Sequence, residues 1–275
     1  HKFDNWYPEM LTVFPDLGDV GPQKHIHRVK KTKDAVSIPV IGSLNAVNED
    51  AWLEYAGLLE ETGIDGLELN LYSSPTWQIE SCGDMEKKQI DIVEKIVDKV
   101  SIPVSVKLSS HYTNIVDFVN RLDQAGVAGF VLFNRFFQST IDIRKEEVEF
   151  PFTFTRSQDN RLPLRFTGLL HGEVKGSLCS STGITGSEDA IRMLLAGADV
   201  VQMVSALFKN GVSYIGEVLA GISSWMDEKG YARLTDFRGK MSRKSLGEKD
   251  TWIYRRTQYI RMLMQTSDRL MKEII

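Results

Sequence analysis

A lysine stands inside the apolar run "PVSVKLSS" that begins at Pro103. An ammonium placed there is costly unless an anionic or electron-rich group meets it, so Lys107 is a candidate for chemistry rather than for packing. Polar residues close the other apolar runs in the same way: Ser43 and Asn45, Asn70 and the segment through Ser73, Ser74 and Thr76, Asn134, Ser180 to Gly183, and Ser205. One cation, several carboxamides and several hydroxyls suit the binding and polarisation of a small electron-rich molecule. The plainer account is that each residue serves a turn, since Asn and Ser favour turns on their own.

The stretch "STGITGSEDA" from Ser181 has a second chemistry. Thr185 and Glu188 have the spacing of a capping box, which predicts a helix starting just after Gly183. The free N–H groups and dipole of such a helix favour an anion. Ser205 and Ala206 close the next apolar run, again just ahead of a helical pattern. Tight turns would explain the small residues; two small-residue strand ends beside helix starts favour a phosphate, held by Thr182, Gly183, Ile184, Ser205 and Ala206.

The elements that must position these residues repeat along the chain. "SIPVIGSLN" starts at Ser37 and "SIPVSVKLS" at Ser101, while "TGIDGLELN", "AGVAGFVLFN" and "AGADVVQMVS" place glycines at 63, 126 and 197. Strands are expected near 38–44, 66–71, 103–108, 128–134, 175–180 and 198–204. Helices are expected near 49–62, 86–99, 113–125, 161–172, 186–196 and 212–229. Apolar strands alternating with amphipathic helices predict parallel βαβ units, and about 32 residues per unit suits a (β/α)8 barrel. No Gly-x-Gly-x-x-Gly follows a strand, which argues against a doubly wound dinucleotide fold. Six strands are legible, so the first two are expected upstream of His1, with 1–36 a loop and short helix, 37–237 barrel strands three to eight, and 238–275 an amphipathic helical extension. That extension is basic, and Ile253, Ile260, Met264, Met271 and Ile275 form an apolar stripe on it, expected to pack on the barrel or a partner subunit.

A net charge of −4 and a pI near 5.8 give no electrostatic case for nucleic acid. No apolar run has the length of a membrane span. Cys82 and Cys179 are too few for a disulfide framework or a closed zinc site. A cytoplasmic homodimer acting on a small molecule is the expected setting.

Taken in order and spacing, "VSIPVIGSLN", "GLELNLYSSP", "PVSVKLSS", "VLFNR", "STGITGSEDA", "LLAGADVVQMVSALFKNG" and "WMDEKGYARLTDFRGKM" resemble the dihydroorotate dehydrogenase family, most of all its "dihydroorotate dehydrogenase-like" bacterial branch. The resemblance implies an FMN-containing barrel that oxidises dihydroorotate to orotate. It places Thr182, Gly183 and Ile184 at the phosphate turn, Ser205 and Ala206 at the second phosphate contact, and Lys107 at the pyrimidine edge of the flavin. Asn45 joins the cofactor-binding set, while Asn70 and Asn134 line the substrate side. The family pattern Asn-Leu-Ser-Cys-Pro-Asn, whose Ser or Cys is the base, is here Asn70-Leu71-Tyr72-Ser73-Ser74-Pro75-Thr76. Ser74 takes the base position when aligned on Pro75, and Ser73 when aligned on Asn70. Thr76 replaces the second asparagine, so the resemblance implies a substrate pocket that differs from the family's. Two other readings compete: a flavin-free sugar-phosphate aldolase or isomerase with Lys107 as Schiff-base amine, and a flavin-binding module without turnover.

Overall fold

The computed structural model describes residues 22–46, 48–71, 81–135, 139–151, 153–247, 254, 259, 260 and 262–264. Helix α1 (Pro22–Ala35) leads into strand β1 (Ile41–Leu44), and then α2 (Glu49–Glu60), β2 (Gly66–Leu71), α3 (Cys82–Lys99), β3 (Val104–Leu108), α4 (Ile115–Gln124) and β4 (Gly129–Leu132) alternate. A small antiparallel hairpin of β5 (Thr140–Asp142) and β6 (Glu147–Glu149) interrupts the pattern. It resumes with α5 (Arg161–Leu170), β7 (Ser177–Ser181), α6 (Ser187–Ala196), β8 (Val200–Gln202), α7 (Ser205–Asn210) and α8 (Tyr214–Lys229).

The main sheet has the order β1-β2-β3-β4-β7-β8 and every pair is parallel. Chain neighbours are sheet neighbours throughout, which is the winding of a (β/α)8 barrel and not of a doubly wound sheet. The fold is a partial (β/α)8 barrel. All six strands fall within a few residues of their expected places. The helix expected over 212–229 is α8, while the short helix α7, which ends at Gly211, and the β5–β6 hairpin were unforeseen. Three-residue strands carry too few alternating positions to stand out from loop sequence.

One face of each strand is covered by helices. Leu67, Leu69, Val104, Val106, Leu108, Phe130, Leu132 and Leu178 are buried with Leu59, Val93, Ile96, Phe118 and Leu122 from the surrounding helices. The repeated glycines at 63, 126 and 197 have φ of 81°, 88° and 121°, where only glycine turns the chain out of a helix without strain. Asn48, Ser81 and Asn114 cap α2, α3 and α4 through side-chain oxygens. A second cluster of Ile184, Ala190, Met193, Ala198 and Val218 fastens α6 and α8 to the end of the sheet.

Of the C-terminal extension, Ile260, Leu263 and Met264 are exposed, while Ile253, Met271 and Ile275 lie outside the described residues. Among the described residues no helix is long and apolar enough to cross a membrane, and no group of His, Cys, Asp and Glu could hold a metal ion.

Candidate active site

Side chains alternate along a strand, so packing Leu67, Leu69, Val106 and Leu108 outward turns Glu68, Asn70 and Lys107 to the barrel interior. Ser43 on β1 and Gln202 on β8 face the same way and complete one interior layer. Ser43 Oγ donates to Glu68 Oε1 at 3.1 Å, Gln202 Nε2 donates to Glu68 Oε2 at 2.6 Å, and Lys107 Nζ donates to Gln202 Oε1 at 3.1 Å. The partner demanded by a lysine in an apolar strand is therefore a glutamine oxygen backed by a buried carboxylate. Glu68 is 6% exposed.

Cys179 on β7 belongs to this interior. Burial, and then the nearby Glu68 charge, push its thiol up to about 12, and Lys107 pulls the other way. A thiol raised this far stays protonated near neutral pH, which disfavours it as a nucleophile.

Toward the C-terminal ends of the strands, Asn134 Nδ2 donates to Asn70 Oδ1 at 2.8 Å. Asn70 is paired in register with Lys107, and the backbone N–H of Asn134 donates to the Leu108 carbonyl at 2.7 Å. The two carboxamides thus meet from either side of β3, at the strand that carries Lys107. Asn45 is exposed just past the end of β1. Ser180 departs from expectation: it is fully buried on the opposite face and shares a 2.7 Å hydroxyl pair with Thr167 of α5.

The turn after β7 is built differently from its sequence-level reading. Thr182 and Gly183 both have left-handed backbone, with φ of 78° and 72°, and Thr182 Oγ1 donates to the Phe133 carbonyl at 2.9 Å. The capping box of Thr185 and Glu188 does not form. Helix α6 starts at Ser187 with Gly186 as its cap, and Glu188 pairs instead with Arg192 on the surface. Asp189 takes over the fastening. Its carboxylate accepts from Thr185 N (3.0 Å), Thr185 Oγ1 (2.6 Å), Ser157 Oγ (2.6 Å), Asn160 Nδ2 (2.9 Å) and Arg192 (2.7 Å). The side chain of Ile184 is buried in the second core and Ala206 is 3% exposed, so neither offers a polar side-chain atom and any contact there is through backbone. Ser205 Oγ accepts from Thr155 N at 3.2 Å, which leaves the hydroxyl hydrogen as a donor.

Of the residues expected to act, the structure brings Lys107, Asn70 and Asn134 together at the ends of β2, β3 and β4. Thr182, Gly183, Ser205 and Ala206 follow β7 and β8, the next two strands of the sheet after β4. Ser73, Ser74 and Thr76 lie outside the described residues. Glu68, Gln202, Asn160 and Asp189 were not anticipated. For Glu68 and Gln202 a signal was present: each interrupts an apolar strand as Lys107 does. Asp189 had none, because an acid in the first turn of a helix is ordinary.

The sequence model of the dihydroorotate dehydrogenase family matches residues 14–226, well over half of the chain. The chain belongs to the dihydroorotate dehydrogenase family. It is 28% identical over 239 residues to the catalytic subunit of dihydroorotate dehydrogenase B (NAD(+)) of Thermoplasma volcanium, an alignment covering 85% of this chain and 78% of that one. It is 25% identical over 221 residues to the equivalent subunit from Methanocaldococcus jannaschii, covering 78% and 72%. Dihydroorotate dehydrogenase A (fumarate) of Limosilactobacillus reuteri is 24% identical over 213 residues, covering 74% and 68%. As a member of the dihydroorotate dehydrogenase family, the protein is an oxidoreductase acting on CH–CH groups. The amide pair and interior lysine described above lie within the matched span.

Proposed function

We propose that the protein is an FMN-dependent dehydrogenase that oxidises a CH–CH bond in a dihydropyrimidine-like ring, in a pocket altered from that of dihydroorotate. The observation that supports this reading is the Asn70–Lys107–Asn134 constellation, with the Thr182–Gly183 turn beside it at the end of the neighbouring strand. The donor set suits the cofactor: a cation and two carboxamides for a planar heterocycle, and small residues with a serine hydroxyl for a phosphate. FMN, when bound, supplies the two-electron acceptor. Lys107 holds positive charge where negative charge develops on reduction. Asn70 and Asn134 fix the ring plane by hydrogen bonds, each amide orienting the other. A hydroxyl of the loop, Ser74 or Ser73, takes the proton.

The pocket differs because the loop after Asn70 carries one residue more than the family pattern, the aromatic Tyr72, and has Thr76 in place of an asparagine. A base displaced by about 1 Å can cost on the order of a hundredfold in rate. The purified full-length protein is expected to show a flavin spectrum, and anaerobic mixing with dihydroorotate to bleach it slowly or not at all, while dithionite bleaches it readily. A protein with no flavin removes the cofactor assignment. Rapid, saturable bleaching by dihydroorotate removes the altered-substrate assignment alone.

Lys107→Ala tests the role of the cation. The bound flavin should become harder to reduce, with a midpoint lower by about 30 mV or more, the two-electron equivalent of about 1.4 kcal/mol, while FMN stays bound. An unchanged midpoint, measured by dye equilibration, would remove Lys107 from the flavin.

A further inference from the structure

Glutamine is nearly symmetric in shape, and its amide can present either end to a neighbour. At Gln202 the choice is made by Glu68. A carboxylate only accepts, so the NH2 end must turn to Glu68 Oε2 (2.6 Å), and the carbonyl oxygen is left facing Lys107 Nζ at 3.1 Å. Were the amide reversed, its NH2 group would oppose the ammonium, its carbonyl oxygen would face the carboxylate, and Glu68 Oε2 would lose its donor. Ser43 Oγ occupies the other carboxylate oxygen, so Glu68 itself is held on both sides. The chain Ser43–Glu68–Gln202–Lys107 spans four strands, β1, β2, β8 and β3, and its two bonds through Gln202 join positions 134 and 95 residues apart.

We propose that Glu68, acting through Gln202, is the positioning residue that fixes the Lys107 ammonium at the reaction centre. This rests on the reading that Lys107 serves the cofactor, but its geometric part stands without one. In this role Glu68 and Gln202 set where the cation sits and how firmly it is held.

Limited acetylation of the full chain with acetic anhydride, read by peptide mass spectrometry, measures how available the Lys107 amine is, whether or not a cofactor is present. Lys229, exposed at the end of α8, serves as the internal reference. Glu68→Gln and Gln202→Leu should each raise the Lys107-to-Lys229 labelling ratio about threefold or more, since each strips the ammonium of an oriented acceptor. Gln202→Leu keeps the carboxylate and Glu68→Gln keeps the amide, so whichever variant shows the wild-type circular dichroism carries the test. A wild-type ratio in either folded variant overturns the proposal. In the flavin-loaded protein, the midpoint shift caused by Glu68→Gln should vanish in the Lys107→Ala background; a shift that persists there means Glu68 acts on its own charge and not through Lys107. Absence of flavin from the purified protein would count against the cofactor reading only, and the labelling ratio would still decide the relay.

Discussion

Replacing Gly183 by alanine is expected to destabilise the protein by about 2–4 kcal/mol, combining a left-handed alanine with overpacking. The sequence suggests that this glycine lets a phosphate approach the backbone. The structure supplies a nearer reason: a Cβ at Gly183 would lie 2.4 Å from Asn160 N and 2.9 Å from both Arg156 O and Asp159 C. These are backbone atoms of the short 3-10 turn Ser157–Asn160 and of Arg156, which precedes it, and they have no rotamer by which to withdraw. With φ of 72° at the same residue, even a methyl group faces two separate obstacles. Denaturant unfolding followed by circular dichroism measures the loss. A Gly183→Ala protein as stable as the wild type would show that the turn does not press on the 3-10 segment. Flavin affinity should fall with the turn, because Thr182 and Ile184 share its backbone path.

Asp189→Ala should cost about 3–5 kcal/mol, the range for removing one partner from a buried, hydrogen-bonded charge. The carboxylate is 2% exposed and gathers donors from Ser157, Asn160, Thr185 and Arg192. Its loss unpins the 3-10 turn, the β7–α6 turn and the first turn of α6 together. Burial by itself pushes this carboxyl up, but the hydrogen bonds from Ser157 and Thr185, with the Arg192 charge, outweigh it and hold the group below the ordinary carboxylate range. The unfolded chain then binds the proton more readily than the folded one, so stability rises with pH across that window. The contribution of Asp189 is complete above the ordinary carboxylate value of about 4 and disappears as pH falls through the lower folded value. The gap between wild type and Asp189→Ala should therefore be widest near neutral pH and narrow in acid. Urea unfolding at pH 7 and below pH 4 measures both gaps, and a gap that does not change with pH would deny the carboxylate its charge-dependent role.

The barrel was legible because its signals are local. A strand buried on its helix face reads as an alternating or continuous apolar run, and a glycine at 63, 126 or 197 marks a helix end whatever lies elsewhere in the chain. Lys107 was legible for the same reason: a cation inside an apolar strand is anomalous within eight residues of sequence. The resemblance placed Asn70 and Asn134 on one side of the site but not in contact, and the 2.8 Å bond between them joins positions 64 residues apart.

What the chain could not declare locally was which polar groups find one another. Gln202 reaches Glu68 across 134 positions and Lys107 across 95, and no short window contains both ends of either bond. Likewise, Thr185 and Glu188 have the spacing for a capping box, yet burial selects Asp189, because Ser157 and Asn160 arrive from another part of the chain to donate to it. Sequence alone determined the six barrel strands, the helices between them and the one cation that had to have a partner, since hydrophobic period and burial cost act over a few residues. Only the tertiary structure decided the partner itself, the β5–β6 hairpin and the packing constraint on Gly183, since hydrogen bonds and backbone contacts between distant segments exist only once the strands are side by side.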